Sequence, residues 1–198
     1  MPRNHKLSQN FLRSPRIALT LIGHSNIKKN DLVVEIGAGS GVITSALAKR
    51  CREVWAYEPD PVQVKVLREN LRRENITNVK IIEKDFLKAE LPRESYKVFS
   101  NPPFHISAEI LYKLLGLTNN NGHIEKTRRV NQPDSIYLIL QKQLALKMIP
   151  TDRHYTSQLG RIITSEYNAK IRYPLKPWDF TPPPAVPTVL YEAKLIKK

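Results

Sequence analysis

The sequence predicts an α/β protein, because apolar strand-like runs alternate with helical segments along the chain. Residues 31–36 form a short, mainly apolar run, as expected of a strand that is buried on both faces of a parallel sheet. The glycine-rich stretch 37–41 separates this strand from a helical segment at 42–50, and another strand-like run follows at 53–57. A strand, a glycine loop and a helix in this order form the first unit of many nucleotide-binding parallel sheets.

Length and charge limit the classes of function. The 198 residues fit one domain, 1–198, with an N-terminal arm and helix at 1–30. A formal net charge of +14 predicts a phosphate-bearing partner such as nucleic acid, because binding to phosphates releases condensed counterions. The chain has no apolar run of about 18 residues and begins with a polar, basic stretch, so we expect a cytoplasmic protein without a membrane partner. The single Cys51 excludes an intramolecular disulfide and a cysteine–histidine metal site, and we expect no metal.

The glycine loop and the next strand end predict a site for S-adenosyl-L-methionine. The glycines at 37, 39 and 41 follow a Gly-x-Gly-x-Gly spacing, which differs from the Gly-x-Gly-x-x-Gly of dinucleotide enzymes and favours a cofactor without a pyrophosphate. Glu58 follows the strand 53–57, about 20 residues after the first loop glycine, where an acidic residue binds a ribose diol. A solvated carboxylate at a strand end is the alternative interpretation of Glu58.

Two further strand ends carry polar or aromatic residues. A helix is expected from Pro61 to about residue 75, followed by an alternating strand-like run at 79–86. Asp85 would accept from an adenine amino group, and Phe86 would supply an amide and an apolar wall. Because ligands of open α/β sheets bind outside the carboxyl ends of the strands, these features should meet in one cleft.

The fourth strand end is the turn 100–104, Ser-Asn-Pro-Pro-Phe, which follows the strand-like run 96–99. Proline fixes φ near −65° and lacks a backbone donor, so the turn is rigid and its carbonyls are available to a ligand. We interpret the amide oxygen of Asn101 and the carbonyl of Pro102 as acceptors for a planar amine, and Phe104 as a stacking surface. The alternative is an ordinary turn with Phe104 in the core.

These motifs together resemble the Erm and KsgA family of ribosomal RNA adenine N6-methyltransferases. The resemblance is carried by SQNFL (8–12), EIGAGSG (35–41), Glu58, Asp85 with Phe86, and NPPF (101–104). It continues through the strand-like 137–142, Gly160 with Arg161, and 180–186, so that it spans essentially the whole chain. The SQNFL arm is more similar to the Erm branch, which acts on 23S rRNA and confers macrolide-lincosamide-streptogramin resistance.

The resemblance implies a function and a set of site residues. The implied activity is N6-methylation of an adenine in 23S rRNA, with S-adenosyl-L-methionine as the cofactor and ribosomal RNA or an assembling ribosomal particle as the partner of a monomer. A small-subunit rRNA adenine dimethyltransferase and a non-catalytic RNA-binding assembly factor are the alternatives, while DNA adenine or protein glutamine methyltransferases share only the turn. The implied cofactor residues are Asn10, Leu12, Gly37, Gly39, Glu58, Asp85, Phe86 and Asn101.

The remaining segments complete a Rossmann-like methyltransferase domain. Residues 169–173 and 189–195 alternate as an antiparallel pair that would close a seven-stranded, mostly parallel sheet. Residues 118–134 are polar and turn-rich and predict a mobile loop. The basic residues expected at RNA phosphates are Arg128, Arg129, Lys142 and Arg161, with a solvated surface as the alternative.

The sequence departs from the family in two places. Pro102 stands where relatives usually carry Ile or Leu between the asparagine and the next proline of the turn. The small helical C-terminal domain of the family has no counterpart before the chain stops at Lys198, so we expect a short member or a fragment.

Overall fold

Strands and helices alternate through the computed structural model, which describes residues 10–126, 130–150 and 157–196. The strands are β1 (Phe11–Leu12), β2 (Leu32–Ile36), β3 (Glu53–Tyr57), β4 (Val79–Ile82), β5 (Lys97–Ser100), β6 (Leu117–Asn120), β7 (His123–Lys126), β8 (Ser135–Gln141), β9 (Tyr167–Leu175), β10 (Phe180–Thr181) and β11 (Thr188–Leu195). The helices are α1 (Pro15–Gly23), α2 (Val42–Ala48), α3 (Pro61–Arg73), α4 (Ser107–Leu115), α5 (Lys142–Leu146) and α6 (Gln158–Glu166).

The central sheet has seven strands in the order β4-β3-β2-β5-β8-β11-β9. The first five are parallel, and β11 lies antiparallel between β8 and β9. The predicted fold class is therefore confirmed: a Rossmann-like, seven-stranded, mostly parallel sheet with an antiparallel closing pair. The fourth parallel strand ends one residue before Asn101, which places the Asn-Pro-Pro-Phe turn at the carboxyl edge of the sheet.

Helices cover both faces of the sheet, which explains why the central strands are apolar throughout. Every residue of β2 is buried. One face packs against α1, α2 and α3 through Leu21, Leu47 and Leu67, and the other against α4 through Ile110 and Leu114. A parallel strand between two helical layers has no solvated face, so its sequence loses the alternation of an exposed strand.

The N-terminal arm is joined to the segment before β11 by a short antiparallel ladder that the sequence did not predict. β1 pairs with β10, with Leu12 opposite Phe180, and the amide of Arg13 donates to the carbonyl of Asp179 at 2.8 Å. The side-chain amide of Asn10 donates to the carbonyl of Pro182 at 2.9 Å. These contacts hold the arm at the carboxyl edge of the sheet.

The prediction of a mobile loop over residues 118–134 is wrong for its first part, which forms strands. β6 and β7 form a hairpin whose two-residue turn is Asn121 (φ 50°) and Gly122 (φ 88°). Asn-Gly adopts these left-handed conformations at low cost and is the strongest short hairpin signal. Arg128 and Arg129 lie outside the described residues, as does the polar connection 151–156.

The structure also bears on the end of the strand predicted over 79–86, on the position of Cys51 and on membrane-spanning helices. The strand expected over 79–86 ends at Ile82, so Asp85 and Phe86 belong to a separate turn. Cys51 is buried just beyond the end of α2. Within the described ranges, no helix is both long enough and apolar enough to cross a bilayer.

Candidate active site

A cleft opens at the carboxyl edge of the sheet, between the glycine loop, the N-terminal arm and the Asn-Pro-Pro turn. Its described lining consists of Asn10, Phe11, Leu12, Glu35, Gly37, Ala38, Gly39, Ser40, Val42, Ile43, Glu58, Gln63, Asn101, Pro102 and Pro103. Seven residues predicted from the sequence thus lie in one cleft: Asn10, Leu12, Gly37, Gly39, Glu58, Asn101 and Pro102.

The glycine loop adopts backbone conformations that disfavour larger residues. Gly37, Gly39 and Gly41 have φ values of 74°, 54° and 94°. A Cβ atom at Gly41 would lie 2.5 Å from the Leu67 side chain, so α2 and α3 pack closely because this position is glycine. A Cβ atom at Gly39 would lie 3.2 Å from the ring of Phe11, which covers the loop from the arm side. The loop therefore presents a backbone surface to the cleft.

The carboxylate of Glu58 is buried and braces this loop. One oxygen accepts from the Gly39 amide at 2.8 Å, and the other accepts from the Asp60 amide at 3.0 Å. Each carboxylate oxygen has two lone-pair directions, so Glu58 retains capacity for two hydroxyl donors from the cleft. The alternative of a solvated strand-end carboxylate is excluded by its burial.

Glu35 is a second buried acid in the cleft, and it was not predicted as a site residue. Its Oε2 accepts from the hydroxyl of Thr44 at 2.6 Å. Burial is the main cause that raises the pKa of Glu35 from 4.5 to about 8, and the negative charge of Glu58 adds to it, whereas the Thr44 hydrogen bond opposes it. A carboxyl group in an otherwise apolar strand was the visible signal for this residue.

Asn101 lines the cleft, and its side-chain amide group is held by the N-terminal arm. The Nδ2 group donates to the backbone carbonyl of Asn10 at 2.7 Å. Its Oδ1 atom is buried and has no hydrogen-bond partner among the residues that the structure describes. A buried acceptor without a donor is costly unless a ligand satisfies it. Pro102, buried beside it, keeps this part of the turn rigid.

Three predicted site residues are not among the described residues that line the cleft. Phe104 is half-buried and begins the 3-10 turn Phe104–Ile106. Asp85 caps a second 3-10 turn, since its Oδ1 accepts from the Leu87 amide at 2.9 Å. Phe86 is buried and contacts the Tyr57 ring edge-to-face, with 5.2 Å between the ring centroids. The roles assigned to these three residues stay predictions.

The predicted RNA contacts lie on different parts of the surface. Lys142 is exposed directly after β8, at the carboxyl edge, and its amide donates to the carbonyl of Pro187 at 2.8 Å. Arg161 is exposed on α6 and does not line the cleft. Gln63, in the first turn of α3, lines the cleft and was not predicted.

The donor and acceptor groups in the cleft fit S-adenosyl-L-methionine, a cation without phosphate. The acceptors are the carboxylate oxygens of Glu58, the Glu35 carboxyl and the open Oδ1 of Asn101. A site for a phosphate-bearing dinucleotide would be expected to contain basic side chains. No Lys, Arg or His is among the described residues that line this cleft. The excess of acceptors and of buried acid favours a positively charged ligand with hydroxyl and amino donors.

Proteins of known sequence resemble this chain over most of its length. A probable ribosomal RNA small subunit methyltransferase A of Methanosphaera stadtmanae is 31% identical over 186 residues, which are 93% of this chain and 63% of the relative. A protein of Pyrococcus furiosus with the same name is 35% identical over 191 residues, which are 96% of this chain and 63% of the relative. The chain thus spans less than two thirds of the length of these relatives.

A solved structure and a family model agree with this likeness. The crystal structure of the 23S rRNA methyltransferase ErmE has a TM-score of 0.81 at 24% identity, with 96% of this chain and 71% of that chain covered, so the two share a fold. The model of the family described as ribosomal RNA adenine dimethylase matches residues 2–197. The chain belongs to the ribosomal RNA adenine dimethylase family.

Proposed function

We propose that this protein transfers methyl groups from S-adenosyl-L-methionine to the N6 amine of an adenine in small-subunit ribosomal RNA. The observation that carries this proposal is the buried Oδ1 of Asn101, an acceptor that lacks a donor among the described residues and lies in the same cleft as the glycine loop. Membership of the family supports the reaction class, and the names of the relatives support the small subunit.

The cofactor is held by the glycine loop and the acids around it. The backbone at Gly37 and Gly39 allows close approach, and Glu58 accepts hydrogen bonds from the ribose hydroxyls while it holds the loop in place. Glu35 also lines the cleft, and in its ionised form it would offset the positive charge of the methionine end. Asp85 binds the adenine amino group in this proposal through its second carboxylate oxygen, while Oδ1 keeps the amide of Leu87.

The turn then orients the target amine. Bound S-adenosyl-L-methionine supplies an electrophilic sulfonium methyl, so the step needs orientation of the amine more than a strong base. The Oδ1 of Asn101 and the carbonyl of Pro102 each accept a hydrogen bond from one N–H of the N6 amine. This favours a tetrahedral nitrogen with its lone pair directed at the methyl group. Acceptors that are already in place stabilise the positive charge that develops on nitrogen. Phe104 stacks on the extruded base.

The choice of small-subunit RNA departs from the expectation of the Erm branch. That expectation depended on the SQNFL arm, of which Ser8 and Gln9 lie outside the described residues. Two relatives above 30% identity carry the small-subunit name, whereas the likeness to ErmE, at 24% identity, concerns the fold alone. Macrolide-type resistance would follow only from methylation of the large-subunit RNA, so the proposal does not include it.

The test is transfer of radiolabelled methyl groups to four substrates: free small-subunit rRNA, isolated small subunits, free large-subunit rRNA and DNA. We expect label in small-subunit RNA, recovered as N6-methylated adenosine after nuclease digestion. Label only in large-subunit RNA would overturn the choice of substrate. Binding of S-adenosyl-L-methionine by calorimetry without transfer to any substrate would instead support a non-catalytic assembly factor.

A further inference from the structure

An exposed tryptophan lies on the connection between β9 and β11. The side chain of Trp178 is 64% exposed, although a tryptophan usually buries most of its large apolar surface. The Nζ group of Lys176 lies 5.1 Å from the centroid of its ring. Proteins that bind single-stranded nucleic acids combine aromatic rings with cations, because bases stack on the ring and the cation pairs with a phosphate.

The turn that carries this tryptophan is well fixed. Pro177–Asp179 forms a 3-10 turn in which the Asp179 carboxylate accepts from the Lys176 amide at 2.8 Å, and the Asp179 amide donates to the Lys176 carbonyl at 3.0 Å. The Asp179 carbonyl also accepts from the Arg13 amide at 2.8 Å. The backbone of the turn is therefore ordered before any ligand binds, which lowers the entropy cost of binding.

The same turn lies beside the active-site cleft. Thr188, the first residue of β11, is paired with Gln141 and Leu175, the last residues of β8 and β9, so the connection 176–187 lies at the carboxyl edge of the sheet. Two residues after Trp178, Phe180 pairs with Leu12, which lines the cleft. An RNA strand that delivers a base to the cleft would pass this connection.

We propose that Trp178 and Lys176 bind an unpaired nucleotide of the RNA substrate, next to the adenine that enters the cleft. Trp178 stacks on the base of that nucleotide, and Lys176 contacts its phosphate. The inference rests on the proposed RNA substrate and adds a second stacking site to the one assigned to Phe104. Base stacking on an aromatic ring tolerates every base, so this contact orders the strand without selecting its sequence.

The second tryptophan of the chain provides an internal control. Trp55 is half-buried in β3, with its indole nitrogen donating to Glu53 at 3.1 Å and the Lys80 Nζ 3.9 Å from its ring centroid. It lies two strands away from the β5 turn and does not line the cleft. The chain has 2 tryptophans, so Trp55→Phe and Trp178→Phe each leave one fluorescent reporter.

The first experiment measures tryptophan fluorescence during titration with a short single-stranded oligoriboadenylate. We expect quenching in the Trp55→Phe variant, which retains Trp178, and little change in the Trp178→Phe variant. Unchanged fluorescence of Trp178 at RNA concentrations that saturate binding would overturn the proposal. The exposed ring would then be assigned to a contact with a protein. This measurement needs no methyl transfer, so it can succeed even if the proposed function fails.

The second experiment measures methyl transfer. Trp178→Ala should raise the KM for RNA about tenfold, with the affinity for S-adenosyl-L-methionine unchanged and partial rescue by Trp178→Phe. Val62→Ala is the matched control, since Val62 is 67% exposed on α3, away from this connection. The KM for RNA and the affinity for S-adenosyl-L-methionine should both be unchanged in this variant. Normal RNA kinetics in Trp178→Ala, with transfer intact, would overturn this inference while the proposed function stands.

The third experiment separates the charge from the ring. Lys176→Met should reduce the slope of log affinity against log salt by about 0.7, the value for one phosphate contact in a single strand. An unchanged slope would overturn the role of Lys176.

Discussion

The two ends of β2 and β5 differ in how their ionisable groups are paired. At the amino ends, the nearly buried Nζ of Lys97 donates to Asp31 at 2.7 Å and to the carbonyl of Asn26 at 2.8 Å, while the side-chain Oδ1 of Asn26 is buried without a partner among the described residues. At the carboxyl ends, the buried Oδ1 of Asn101 lacks a donor among the described residues, and the pKa of Glu35 is raised. The cation at the amino ends is paired within the fold, whereas the acids at the carboxyl ends face a cleft whose described lining has no basic side chain, so a cationic ligand can pair with them.

The difference has an electrostatic origin. Lys97 is surrounded by oxygen atoms, so its charge is compensated within the protein. Glu35 and Glu58 are both buried at the other edge, and the described cleft lining contains no basic side chain. A site of this kind costs stability in the free protein and gains affinity for a cation. Substitutions at the two ends should therefore differ in their effects on stability and on ligand binding and transfer.

The largest effect should follow from Asn101→Ala. Loss of the open acceptor should lower the rate of methyl transfer by about 100- to 1,000-fold, because positioning and charge stabilisation at the amine are both lost. Affinity for S-adenosyl-L-methionine, measured by calorimetry, should change much less. Asn168→Ala, on the exposed side of β9, is the matched control. Transfer that stays within a few-fold of wild type would contradict the role of Asn101.

Glu35→Gln should change the pH dependence of stability. The folded-state pKa of about 8 lies above the ordinary value of 4.5, so the protonated carboxyl favours folding at low pH and this contribution is lost as the pH rises towards 8. The variant keeps an acceptor for Thr44 and should gain roughly 3 kcal/mol at pH 7. Urea denaturation of both proteins between pH 5 and pH 8 measures this difference in the free energy of unfolding.

The control for this substitution is Glu69→Gln on the exposed face of α3, which should leave the pH profile unchanged. If wild type and Glu35→Gln lose stability equally between pH 5 and pH 8, Glu35 is not the titrating group. Such a result would remove the raised pKa of Glu35 as a difference between the carboxyl ends and the amino ends.

Lys97→Met should destabilise the fold without affecting the cleft. It leaves the Asp31 carboxylate without its cation, and since the Asp31 side chain is 22% exposed we expect a loss of about 2 kcal/mol. The midpoint of urea denaturation measures this loss. Lys49→Met breaks an exposed pair with Glu74 and should cost under about 1 kcal/mol. A weaker affinity for S-adenosyl-L-methionine in folded Lys97→Met would contradict the separation of the two ends.

Glu58→Ala should have the smallest effect of the four, on cofactor affinity. Loss of the ribose acceptor and of the brace on the Gly39 amide should weaken binding of S-adenosyl-L-methionine about tenfold, as measured by calorimetry. Glu69→Ala serves as the exposed control. An unchanged affinity would show that Glu58 supports only the loop.

The sequence by itself determined the alternation of the main strands and helices, and it located the glycine loop, Glu58 and the Asn-Pro-Pro-Phe turn directly after their strands. Short-range rules were sufficient there, because an apolar run, a glycine loop and a proline turn each specify their own backbone. The hairpin at Asn121 and Gly122 belongs to the same class: its Asn-Gly signal is local, and the prediction of a loop overlooked it. Phe104 and Asp85 were found by their motifs, and their roles stay predictions.

Only the tertiary structure decided which of these groups face one another. The pairing of Leu12 with Phe180 and the hydrogen bond between Asn10 and Pro182 join segments that are far apart in the chain, and no local pattern specifies such contacts. The raised pKa of Glu35 depends on its burial in β2 and on the nearby Glu58, which directly follows the neighbouring strand β3. The open Oδ1 of Asn101 likewise becomes visible only when every neighbour is placed, because an unpaired acceptor is a property of its surroundings.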